Sequence, residues 1–149
     1  VNATVGLIKT EYAQAVANGS HDKAFYDKLS ERIDEAIRKI GINDETLPLI
    51  TVQARIMAFE LGRFEEAVAL LNHSLEMNMS AYRKAELKME LADIYLFTDE
   101  VWESILLYSQ IEKTLKNEPI AHEARFKNAW LNSKSLPRLK VIVWKSLKI

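Results

Sequence analysis

The stretch Leu61–Met77, "LGRFEEAVALLNHSLEM", constrains this chain more than any other. Phe64, Ala67, Val68, Leu71, Ser74 and Leu75 recur at steps of three and one, which wind into a single stripe on an α-helix. A stripe of that width has to be covered by other apolar surface. The same period returns upstream in Phe25, Leu29, Ile33, Ile37 and Ile40. Downstream, the segment after Ser80 carries two stripes at once, Leu87, Leu91, Ile94 and Tyr95 on one side and Tyr82, Ala85, Met89, Ala92 and Leu96 on the other. A helix that apolar is sandwiched between neighbours. Alternating runs of Val, Ile and Thr are nearly absent, and only 4 Gly and 3 Pro break the pattern, so the fold class is all-α.

A chain of 149 residues fits one domain and can bury a core without disulfide or metal staples. No linker-like segment interrupts it, which predicts a single domain over 1–149. The formal net charge of −1 offers no broad field for nucleic acid or an anionic membrane, so neither is an expected partner. The absence of cysteine excludes disulfides, thiolate metal sites and cysteine nucleophiles. No apolar run approaches the roughly 18 residues that span a bilayer, and the first residues lack the basic-then-apolar pattern of a leader. The expectation is a soluble protein, in cytoplasm or periplasm. Because the sequence starts at Val1, it reads as part of a longer chain in which a leader could lie upstream.

Punctuation divides the chain into helices. The first is expected from Ala3 to Ala17, ending at Gly19, with Ser20 placed to cap the second, which closes at Gly41. Pro48 opens a third that ends at Gly62, and the stretch after Gly62 is the fourth. Ser80 caps the fifth, "TDE" turns the chain into a sixth over Val101–Lys116, and Pro119 opens a seventh. The basic, apolar tail "LPRLKVIVWKSLKI" reads either as an eighth, capping helix or as a segment that needs further chain to fold.

The pairs share a register. Gly19 is followed five residues later by Ala24, Gly62 by Ala67 and Asp99 by Ser104, so a turn residue precedes a small one each time. Seven residues before the turns stand Tyr12, Arg55 and Ala92 and, 37 further on, Ala129, of which the last two are small. A helix–turn–helix recurrence of roughly 34 to 40 residues is the signature of an α-solenoid in which each pair covers the next.

"ELGRFEEAVALLNHSLEM" resembles the second half of a tetratricopeptide repeat, with Gly62, Phe64, Ala67, Leu71 and Ser74 at its glycine, aromatic, alanine, bulky and small positions. "LADIYLFTDEVWESILLYSQIEK" resembles the next repeat through Leu91, Ala92, Tyr95, Ser104 and Tyr108, and departs from it at Lys88, Asp99 and Ile111. "WESILLYSQIEKTLKNEPIAHEARFKNA" is similar to bacterial tetratricopeptide proteins of the Bacteroides type, which are longer than this chain. The resemblance implies a right-handed α-α superhelix with repeats at about 3–40, 47–78 and 80–117 and a partial one at 119–149. It also implies a scaffold that binds a peptide or protein in its concave groove, with no catalysis and no cofactor.

Residues that carry chemistry do not assemble in the sequence. His21, His73 and His122 are isolated, and "AHEARF" supplies only half of an H-E-x-x-H motif, so no metal site is expected. Glu65 and Glu66, and Asp99 with Glu100, sit at helix starts, where the macrodipole favours negative charge. No Gly-rich phosphate loop and no G-x-S-x-G occurs, and no catalytic residue is assigned.

The third helix has two apolar sides. Ile50, Ala54, Met57, Ala58 and Leu61 can pack on the fourth helix, leaving Leu49, Val52, Ile56 and Phe59 on the other side. The resemblance places this second set on the concave groove, together with Glu86, Met89, Asp93 and Leu96 of the next repeat. The competing reading has the long second helix fold over Leu49–Phe59 and bury them. The competing function is an accessory helical-repeat module for nucleic acid, carbohydrate or an enzyme.

Overall fold

The computed structural model describes residues 2–132 and is all-helical among them. The expected eighth helix lies outside the described residues. The chain divides into two compact units, Val1–Met79 and Ser80–Ile149.

The first unit holds α1 (Asn2–Ala17), α2 (Lys23–Ile40), α3 (Leu47–Arg55) and α4 (Phe64–Leu75). The cap of α2 corrects the sequence reading, because Asp22, not Ser20, accepts from the backbone N–H groups of Ala24 and Phe25. Ser20 instead offers its carbonyl to the Tyr26 hydroxyl at 2.9 Å. Between α2 and α3, Asn43 and Thr46 bond each other's backbone, and the Thr46 hydroxyl donates to the Gly41 carbonyl at 2.7 Å. That small polar knot lets Pro48 start α3 where its missing N–H costs nothing.

α3 does not run straight into its turn. Ile56–Glu60 form a π-helical turn in which the Leu61 N–H donates to Ile56 O at 2.9 Å. The Arg63 N–H then reaches back to Met57 O. At the end of α5 (Ala81–Phe97), the equivalent bond runs from Glu100 to Tyr95, one residue less. One extra residue has therefore been absorbed inside α3. This accounts for the irregular register of the sequence, since the small residue before Gly62 is Ala54, fully buried, one position before Arg55. Gly62 at φ 69° and Asp99 at φ 68° both take the left-handed conformation that ends these helices.

Within the first unit, α3 packs on both α1 and α2, and α4 packs on α3 and the π-turn. The core comprises Val5, Ile8 and Ala15 of α1, Tyr26, Leu29, Ile33 and Ala36 of α2, and Leu49, Val52 and Ile56. Ala67, Leu71 and Ser74 of α4 are fully buried, as the opening stripe requires.

The second unit contains α5, α6 (Val101–Thr114) and α7 (Pro119–Leu131). Ser80 caps α5 as predicted, accepting from the Arg83 N–H at 3.2 Å. α6 packs against α5, and α7 packs against both. Both stripes of α5 are buried apart from Tyr82 and Tyr95. Ser104 is fully buried, and its hydroxyl donates to the Ala92 carbonyl at 2.7 Å, so the two small residues of the predicted register meet at the α5–α6 crossing.

Candidate functional site

The eight residues predicted to line a groove are mostly covered, and the expectation of an open apolar wall is corrected. Leu49, Val52 and Ile56 belong to the core of the first unit, beneath α1 and α2. The competing reading holds for these three because α2 is long and sets Leu29, Ile33 and Ala36 against the same core. Phe59 is half-buried in the π-turn, which turns it away from the register of Leu49, Val52 and Ile56. Of the second set, Met89, Asp93 and Leu96 are buried, while half-buried Glu86 pairs with Arg83 at 3.2 Å.

Asp93 anchors a polar cluster that the sequence did not reveal. It is only 2% exposed, and it accepts from the Tyr108 hydroxyl of α6 at 2.7 Å and from Lys127 Nζ of α7 at 2.9 Å. Lys127 also lies 3.3 Å from Glu123, 5.7 Å from the centre of the Tyr108 ring and 3.7 Å from Met89 Sδ. Burial, then the neighbouring Asp93 carboxylate, pushes the Tyr108 hydroxyl far above its ordinary range, so it stays a donor. Three helices thus meet at one carboxylate. A buried pair of this kind fixes how helices register but adds little net stability, since desolvating both ions offsets their attraction.

Two buried amides grip helices in a matching way. Gln53 Nε2 of α3 donates to Ser30 O at 3.2 Å and to Asp34 at 2.6 Å on α2. Asn128 Nδ2 of α7 donates to Ser109 Oγ at 3.0 Å and to Glu112 at 3.1 Å on α6. Each leaves its own amide oxygen buried and without a hydrogen-bond partner, at a cost of about 1–3 kcal/mol apiece.

Among exposed apolar side chains, which also include Leu7 and Val16 of α1 and Phe126 of α7, the outward side of α6 carries the most exposed one. Trp102 is 82% exposed and Leu106, one helical turn on, is 55% exposed. Ser109 and Lys113 continue that line by the helical period. The same two residues, with Glu112, Lys116, Asn117 and Arg125, line a shallow depression of about 440 Å³ between α6 and α7. Glu112 holds Arg125 at 3.2 Å, whereas Lys113 and Lys116 take part in no ion pair among the described residues. Sequence reasoning passed over Trp102, although the signal was there: α6 has apolar residues on every side, more than one covered face can hold.

The histidines stay apart, His21 against Glu60 at 3.3 Å, His73 against Glu76 at 3.9 Å and His122 against Arg125 at 3.5 Å. Among the described residues no three His, Asp or Glu side chains converge as a metal site, and no described helix is long and apolar enough to cross a membrane. Comparison of the chain with protein-family models, with curated proteins and with solved structures finds no match in any of the three.

Proposed function

We propose that this chain is a non-catalytic, tetratricopeptide-like scaffold, a right-handed array of helix pairs that binds a protein or peptide partner. The repeated packing supports the array. In both units the helix that opens a new pair lies on both helices before it, α3 on α1 and α2, α7 on α5 and α6. The crossings use small residues, Ala67 in one unit and Ser104 with Ala92 in the other.

The observation that carries the binding role is the exposed Trp102–Leu106 pair on α6. Scattered apolar residues on a surface are ordinary, but a tryptophan and a leucine aligned on one helix face form the sort of anchor that dominates protein interfaces. The partner site is thereby moved from the buried residues of α3 and α5 to the outward face of α6. Quantitative affinity capture from the source cell should compare the chain with its Trp102→Ala/Leu106→Ala variant. Captured proteins should fall by about tenfold or more with the variant, as expected for loss of an interface hot spot. Identical captures from both would overturn the reading.

A further inference from the structure

We infer that the outward face of α6 is a docking strip for an acidic, amphipathic helix, which deepens and rests on the scaffold reading above. The strip is polarised. Trp102 and Leu106 form its apolar end, and Lys113 and Lys116, uncompensated by any ion pair among the described residues, form its cationic end. From Trp102 to Lys113 it measures roughly 16 Å at 1.5 Å rise per residue, about eleven helical residues, with Lys116 just past the end of α6. A helix laid along it would place two apolar side chains one turn apart against Trp102 and Leu106, and carboxylates against the lysines. Arg125, held by Glu112, walls the depression between α6 and α7 into which those carboxylates would reach.

Charge chooses between occupants. Residues 133–149 of this chain contain Lys134, Arg138, Lys140, Lys145 and Lys148 and no acid, so they would bring like charge to Lys113 and Lys116. A second copy of α6 set antiparallel, with Trp102 against Leu106, would carry Lys113 past the start of the partner helix at Val101. An acidic partner satisfies both ends.

The test uses the full chain and three fluorescein-labelled fourteen-residue helical peptides: one with two leucines a turn apart followed by glutamates, one with lysines for the glutamates, and one with serines for the leucines. Fluorescence anisotropy should show the first binding about tenfold or more tightly than the other two, with affinity falling as salt rises. Lys113→Glu/Lys116→Glu should reverse the preference between the acidic and basic peptides, and Trp102→Ala should weaken the first peptide about tenfold, with thermal unfolding of both variants unchanged. Equal binding of acidic and basic peptides, no binding of the acidic peptide at about 1 mM, or insensitivity to these substitutions would overturn the inference. A chain that sediments as a dimer and becomes monomeric on Trp102→Ala would overturn it in favour of self-association. If cellular capture depends on Trp102 and Leu106 while the acidic peptide is not preferred, the scaffold reading survives and the acidic partner alone is lost.

Discussion

Where α3 meets α1 and α2, most contacts are made by Leu49, Val52 and Ile56 among apolar neighbours, with the Gln53 amide bonding Ser30 O and Asp34 of α2. Where α7 meets α5 and α6, the contact centres on Lys127, Asp93 and Tyr108. The two junctions perform the same task, closing a helix pair with a third helix, by opposite physics. The apolar contacts of the first junction tolerate small slips, because dispersion and burial have no direction, and the Gln53 bonds limit them. The ionic one does not, because Asp93 is 2% exposed and its 2.9 Å bond from Lys127 depends on distance and direction. The first unit gains stability from its junction and the second gains register.

The largest expected effect tests that contrast. Lys127→Met removes the cation that α7 sets against buried Asp93, and should destabilise by about 3–5 kcal/mol in chemical denaturation. Replacing the whole cluster, with Asp93→Leu, Lys127→Met and Tyr108→Phe together, should recover most of that loss. A triple variant as weak as the single one would mean that the charges are required for stability and not only for register.

Next comes the crossing of α3 and α4. Ala67→Leu in a fully buried position should cost about 1–3 kcal/mol by overfilling the contact. Ser104→Ala, at the corresponding crossing of the second unit, should cost about 1 kcal/mol by removing the bond to Ala92 O. Thermal unfolding of the two variants shows whether the crossings are equivalent.

Alkaline titration separates the units by another route. Burial and the nearby Glu60 raise Tyr26 of α2 from 10.0 to about 12, and Tyr108 is pushed higher still. An acid whose folded pKa is raised stabilises the fold below its unfolded pKa and withdraws that stability as pH climbs through the folded value. Stability should therefore decline above pH 10. Absorbance at the tyrosinate band, with Tyr26→Phe and Tyr108→Phe as references, should find Tyr26 ionising first. The reverse order would contradict the bond of the Tyr108 hydroxyl to the buried Asp93 carboxylate.

The smallest effect is local. Asp99 occupies a left-handed conformation that costs an L-residue energy and that Gly62 adopts freely. Asp99→Gly should stabilise by about 1 kcal/mol or less, measured by denaturation midpoint, because relief of the left-handed backbone is partly offset by the greater freedom of glycine in the unfolded chain.

Much of the fold was legible because helix ends carry local chemistry. Gly19, Gly62, Asp99, Ser80 and Pro119 mark their turns and caps where the residues themselves predict. The π-turn was not legible: "IMAFE" contains neither glycine nor proline, and a wider turn is chosen by what α3 must align with on both sides, Ala54 before it and Gly62 after. The burial of Leu49, Val52 and Ile56 was open in the sequence for a related reason. An apolar side announces that it needs cover, and says nothing of whether α2 or a foreign peptide provides it. Asp93 was misread as groove wall because its partner, Lys127, is 34 residues away and no periodicity links them.

That separation has a consequence for how the second unit comes together. When α5 and α6 pair, Ser104 and Tyr108 can already reach Ala92 and Asp93, whereas the cation of Lys127 arrives only with α7. Burying a carboxylate is costly, so the docking of α7 adds a charge-assisted bond at the point where α5 and α6 already touch, and one side chain couples the three helices.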